Sequence, residues 1–123
     1  MKFALADETN GYTIQSYSDE SVVIDNAIYR SNLVILTNRL LPGWRPNSFQ
    51  DLEVGDFEKL VELKPDLVIL GTGKQQQFPL PKLYQSLVIA GIGLEIMTTP
   101  AACRTYNILV SEGRMVATAL ILK

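Results

Sequence analysis

The sequence predicts an α/β fold, and three observations carry that prediction. The apolar run Leu67-Val68-Ile69-Leu70 is followed by a helical pattern from Pro81 and a second apolar run at Ile92 to Met97. A capped helix then starts near Pro100, and a third apolar run resumes over Met115 to Leu122. Two strands joined by one helical crossover lie parallel with a right-handed connection, so this half is an α/β unit.

The helix near Pro100 has both boundaries signalled. Thr98-Thr99 supplies a hydroxyl N-cap, and Pro100 opens the first turn, where its missing N–H costs nothing. Gly113, just past Glu112, can take the left-handed conformation that closes a helix. The crossover helix before it opens at Pro81, turns Leu83, Leu87 and Ala90 inward, and closes at Gly91. Asp56 reads as the N-cap of a shorter helix with Phe57, Leu60 and Val61 on one face, Lys64 at its negative end and Pro65 as its stop.

The first third reads as β-structure. Tyr12, Ile14 and Ser16 alternate with Thr13, Gln15 and Tyr17, and Ser18 to Ser21 forms a polar turn. Val22 to Ile24 and Ile28 to Arg30 flank Asp25-Asn26, residues that tolerate left-handed turn geometry, which predicts a β-hairpin. Leu33 to Thr37 is a buried strand. The segment Leu41-Pro42-Gly43-Trp44-Arg45-Pro46, with two prolines and a glycine, reads as an ordered loop in which Trp44 and Phe49 find cover.

The 123 residues form a single domain, 1–123, large enough to fold without metal or disulfide support. Hydrophobic residues make up 47% and charged residues 20%, and no apolar run approaches the ~20 residues of a membrane helix. Net charge is −2, and no Lys or Arg cluster interleaves with aromatics, so nucleic acid is not an expected partner. The opening MKFALADETNGY lacks the pattern of a secretory or mitochondrial leader, which predicts a cytoplasmic, bacterial location. One cysteine allows neither an internal disulfide nor a Cys-based zinc cluster. The absence of histidine removes Ser-His-Asp and Cys-His catalysis together with the commonest metal ligand.

Ligands of open α/β sheets collect outside the carboxyl ends of the parallel strands. Two loops qualify here, Gly71-Thr72-Gly73-Lys74 and Thr98-Thr99-Pro100. The first offers glycines that admit close approach to the backbone, and the second offers free helix N–H groups, a combination suited to an anion or a carbonyl oxygen. Gln76 stands where a dinucleotide fingerprint has its third glycine, and the glycine-lysine spacing of a P-loop is missing, so a plain tight turn competes with that reading.

Cys103, beside Arg104 near a helix start, has the setting of a thiolate nucleophile. The helical projection points elsewhere, since Ala102, Tyr106, Leu109 and Val110 form an apolar face with Cys103 at its edge, the place of a small buried hydrophobe. Arg104, Asn107 and Ser111 make a polar stripe, either solvated or presenting Arg104 to an anion or a partner. Ile108 lies outside the apolar face and meets a second layer or an oligomer contact. Asp51, Glu53, Asp56, Glu58 and Glu62 read as dipole-matching and solvated charges rather than a metal site. Glu95 interrupts an apolar strand and is either exposed or paired with Arg104 or Arg114.

The series Leu70-Gly71-Thr72-Gly73, Gly91-Ile92-Gly93, Met97-Thr98-Thr99, Ala101 to Asn107 and Glu112-Gly113-Arg114 resembles the Mth-type domain family. This domain of unknown function (four-nine-eight) includes the mitochondrial respiratory complex I assembly factor three and the adipogenesis-associated Mth-domain protein. The match runs from about Tyr12 to Leu122. The resemblance implies one three-layer α/β domain with a mixed central sheet, helices on both sides and an added N-terminal β-hairpin region. It implies no catalytic residue, cofactor or metal. It implies instead a non-enzymatic assembly or interaction factor, with NADH dehydrogenase (complex I) subunits or membrane-insertion machinery as protein partners, cytoplasmic and peripheral to the inner membrane. The candidate surface comprises Gly71, Thr72, Gly73, Lys74, Thr98, Thr99, Arg104 and Asn107. The competing reading is a small-molecule anion binder or enzyme in which Arg104 holds the anionic group and Lys74 or a carboxylate moves a proton.

Overall fold

The computed structural model describes residues 11–122. Three short strands, β1 (Ile14–Tyr17), β2 (Val22–Ile24) and β3 (Ala27–Tyr29), form an antiparallel meander. Asp25 and Asn26 both take positive φ, 54° and 67°, the geometry of the two-residue hairpin turn their side chains favour. The central sheet holds β4 (Leu33–Leu36), β5 (Leu40–Pro42), β6 (Leu67–Gly71), β7 (Gly93–Met97) and β8 (Val116–Leu120) in the order β5-β4-β8-β6-β7. β6 pairs in parallel with β7 and β8, whereas β4 runs antiparallel to β8 and β5, so the sheet is mixed.

Helix α1 (Val54–Glu62) and the short α2 (Gln85–Ile89) cover one face, and α3 (Thr99–Ser111) covers the other together with the meander. This disposition follows from the crossovers. The chain steps outward from β6 to β7 and then back past β6 to β8, and right-handed connections in opposite directions put α2 and α3 on opposite faces. The inner strands are consequently apolar on both sides. Leu67 and Ile69 face α3, while Val68 and Leu70 face α1 and α2. On β8 the small Ala117 and Ala119 lie in the same buried layer as the bulky Phe57, Leu60 and Leu87, small residues on the sheet leaving room for large ones from the helices.

Both signalled helix ends of α3 have the expected form. Thr98 is the N-cap, its Oγ1 accepting from Ala101 N–H at 3.4 Å, and Pro100 sits in the first turn one position later than expected. At the other end Gly113 has φ 81°. Gly113 N–H donates to Val110 O at 2.9 Å and Arg114 N–H to Leu109 O at 3.1 Å, the bond pair of a Schellman close.

Three expectations are corrected. Leu41 and Pro42 are not loop but belong to edge strand β5, where Val34 pairs with Leu41 and Leu33 with Pro42; proline is tolerated on an edge because its missing N–H removes no ladder bond. Asp56 is not the N-cap of α1. Glu53 is, and Asp56 sits at the third helical position, where its carboxylate accepts the Glu53 N–H at 2.8 Å. Ala90 is exposed rather than inward, because Pro81–Tyr84 winds as a 3₁₀ turn and its tighter pitch shifts the phase of the helix that follows. Leu87 is buried as expected.

Candidate functional site

The carboxyl ends of β6 and β7 do come together, and what fills the space between them is the protein's own hydrogen bonding. Thr99 N–H donates to Gly73 O at 2.9 Å, and Gly73 N–H donates to Thr99 Oγ1 at 2.8 Å. The Thr99 hydroxyl in turn donates to Ile121 O at 2.6 Å, while Thr72 Oγ1 donates to Gln75 O at 2.7 Å. Gly71, Thr72, Gly73 and Thr99 are all buried.

The expected free N–H groups at the start of α3 are therefore not free. Thr99 N–H is taken by Gly73 O, Pro100 has none, and Ala101 and Ala102 donate to the side chain and carbonyl of Thr98. Glycine at position 71 has a structural reason as well. A Cβ there would lie 3.0 Å from Leu120 Cδ2, 3.1 Å from Ala102 Cβ and 3.1 Å from Thr99 Cα, so the chain that approaches this backbone closely is α3 itself. The anion-binding reading of the crevice finds no support in this geometry.

Of the candidate surface, Lys74 and Arg104 remain exposed. Neither forms an ion pair among the described residues, where the salt bridges all belong to Arg45. Asn107 is half-buried and structurally committed: it accepts from Ile14 N–H at 2.9 Å and donates to Ile14 O at 2.9 Å. The polar stripe thus divides, with Arg104 and Ser111 in solvent and Asn107 fastening the meander to α3. Among the described residues Ile108 stays 57% exposed, and Glu95 is exposed without an arginine partner.

Cys103 is fully buried in the core. Burial pushes its thiol up to about 12, against a smaller opposing pull from the Arg104 charge, which is the reverse of thiolate activation. Burial likewise raises the phenol of Tyr106, whose hydroxyl donates to Tyr12 O at 2.8 Å.

The one charge cluster with tight geometry among the described residues was hidden from sequence reasoning. Arg45 donates to both carboxylate oxygens of Asp56, at 2.7 Å each, and lies 3.4 Å from Asp51 Oδ2. Burial alone would raise the Asp56 carboxyl, but the Arg45 hydrogen bonds, the Glu53 N–H and the Arg45 charge together hold it below its ordinary value. The bidentate bond to Asp56 correspondingly raises the Arg45 guanidinium. A lone arginine in a proline-rich loop ahead of an acid-rich helix start was the available signal. Among the described residues Asp56, Arg45, Cys103 and Tyr106 are thus all shifted away from neutrality. Among the described residues no set of three His, Cys, Asp or Glu side chains is placed to hold a metal ion, and no helix is long and apolar enough to cross a membrane.

Fold and site together define a three-layer α/β domain with a mixed sheet and a strand-end crevice sealed by internal bonds. The chain belongs to the family described as "Protein of unknown function (DUF498/DUF598)", whose model matches residues 14–121. It is 33% identical over 114 residues to the Bos taurus NADH dehydrogenase [ubiquinone] 1 alpha subcomplex assembly factor 3, a match that covers 88% of this chain and 59% of that protein. The chain thus spans about three-fifths of the length of that relative. Among solved structures, a Xanthomonas campestris protein superimposes with a TM-score of 0.82 at 34% identity, covering 90% of this chain and 84% of the other. A Bordetella pertussis protein described as a Mth938-like domain shares the fold, with a TM-score of 0.79 at 24% identity over 91% of this chain and 86% of that one.

Proposed function

We propose that this chain is a non-enzymatic assembly factor for respiratory NADH dehydrogenase, cytoplasmic and peripheral to the inner membrane. The observation that carries the reading is the similarity to assembly factor 3, which extends over 88% of the chain. The geometry supports it from a second side. The sealed crevice turns buried polar groups to structural use and leaves Lys74 and Arg104 as exposed cations with no ion pair among the described residues. Arg104 presents its guanidinium to solvent from the second turn of α3, and an acidic patch on an assembly partner is its natural counterpart.

Affinity capture tests this directly. The tagged chain recovers NADH dehydrogenase subunits or subassemblies from a native extract, and Arg104→Ala recovers them poorly while melting as the parent does. Arg104→Lys rescues weakly, because lysine lacks the planar fork that grips a carboxylate. Recovery of no such subunit by the parent chain refutes the proposal.

A further inference from the structure

The connection from β6 to β7 leaves apolar surface that the fold does not use. Phe78 (68% exposed), Leu80 (60%), Val88 (59%) and Ile89 (83%) all stand in solvent within this one segment. Pro79 between the first two is buried, and Leu80 is extended with φ −63° and ψ 136°. Pro79 is anchored inward while Phe78 and Leu80 on either side of it stand out in solvent. In α2 the buried Leu87 plays the same part, and Ile89, roughly 200° further round the helix, points away from the core.

The segment is held firmly while it presents these side chains. Tyr84 packs edge-on against Phe57 of α1 with ring centroids 6.1 Å apart, and Gln50 Nε2 donates to Gln77 Oε1 at 3.2 Å. Two prolines restrict the backbone further. The charge is equally biased. From Leu67 through Leu94 the only charged residues are Lys74 and Lys82, both exposed, in a chain whose net charge is −2.

We propose that this segment docks the protein onto an anionic lipid bilayer. Phe78, Leu80, Val88 and Ile89 enter the interfacial region, and Lys74 and Lys82 pair with headgroup phosphates, their stems lying along the apolar layer. The charge pattern favours this occupant over a second copy of the chain. A two-fold contact through the patch would set lysines against lysines, with no carboxylate in the segment to receive them. The docking surface rests on the peripheral membrane location proposed above and gives it a place on the fold; because vesicle binding needs no NADH dehydrogenase, its failure is distinguishable from failure of the assembly role.

The test is co-sedimentation of the purified full chain with vesicles of phosphatidylcholine alone and of phosphatidylcholine mixed with phosphatidylglycerol. The chain pellets with the anionic vesicles, and added salt weakens the binding. The double variant Lys74→Glu/Lys82→Glu lowers the partition at least about tenfold. The double variant Phe78→Ser/Ile89→Ser abolishes binding while melting like the parent, because both side chains are exposed. Failure to bind anionic vesicles, or equal binding by parent and variants, overturns the proposal. A concentration-dependent dimer that Phe78→Ser/Ile89→Ser dissolves would also overturn it, by assigning the patch to a second copy.

Discussion

The side-chain amide of Asn107 pairs with the backbone of Ile14 as a neighbouring strand would, accepting from its N–H and donating to its carbonyl, both at 2.9 Å. Helix α3 thereby supplies the meander with a substitute for a missing strand partner. Asn107→Asp keeps the acceptor but sets a second oxygen against Ile14 O, so it lowers unfolding stability by ~2 kcal/mol. Asn107→Ala is damaging to a similar degree. Urea denaturation of both variants measures the effect, and a loss well under ~0.5 kcal/mol would mean that water replaces the amide without penalty.

The Arg45–Asp56 pair makes stability pH-dependent with a defined sign. The folded Asp56 carboxyl lies below its ordinary value of 3.8. Its contribution is therefore complete above that value and is lost as pH falls through the lower folded value. Urea unfolding followed from neutral pH down to about pH 2 shows the parent losing its advantage over Asp56→Asn as the acid limit is approached. A stability gap that stays constant across that range would contradict the role assigned to the pair.

Cys103 behaves as a core side chain. With the thiol pushed up to about 12 and the residue fully buried, a thiol reagent at mildly alkaline pH labels it only after denaturant is added. Cys103→Ser loses ~1 kcal/mol of stability by placing a hydroxyl in an apolar layer, without loss of partner capture. Rapid labelling of the native protein would reverse this assignment.

Thr118 offers the opposite experiment. It sits at the centre of β8, fully buried, with no hydrogen-bond partner for its Oγ1 among the described residues. Replacing the hydroxyl by a methyl removes an unsatisfied polar atom at nearly constant shape, so Thr118→Val raises stability by about 1 kcal/mol. Thermal melts of parent and variant decide it, and a lower melting temperature would point to a buried partner for the hydroxyl.

Much of the α/β half was legible because its signals are local. Thr98, Pro100 and Gly113 mark α3 within a turn of each boundary, Asp25-Asn26 places the hairpin turn, and the Leu67 to Leu70 run can only be a strand buried on both faces. The errors arise where partners are distant in sequence. Edge strand β5 exists because β4 pairs with it, which outweighs the loop signal of Pro42 and Gly43. On composition Asp56 is the better cap, but Arg45, eleven residues before it, and the Glu53 N–H hold its carboxylate at the third helical position instead. Asn107 looked like part of a solvated stripe because Ile14, 93 residues away, does not announce itself. The carboxyl ends of β6 and β7 adjoin as a parallel pair requires, yet what fills the space between them was not legible, since the same threonines and glycines that can hold a ligand can also bond to one another.

The assembly role proposed for the chain rests on its likeness to assembly factor 3. The most direct measurement is native gel electrophoresis of respiratory complexes from cells that lack the chain, compared with the same cells supplied with it. The account predicts less of the assembled enzyme and an accumulation of partial complexes, restored by the parent chain and poorly by Arg104→Ala. An unchanged amount of fully assembled NADH dehydrogenase in cells lacking the chain would contradict it.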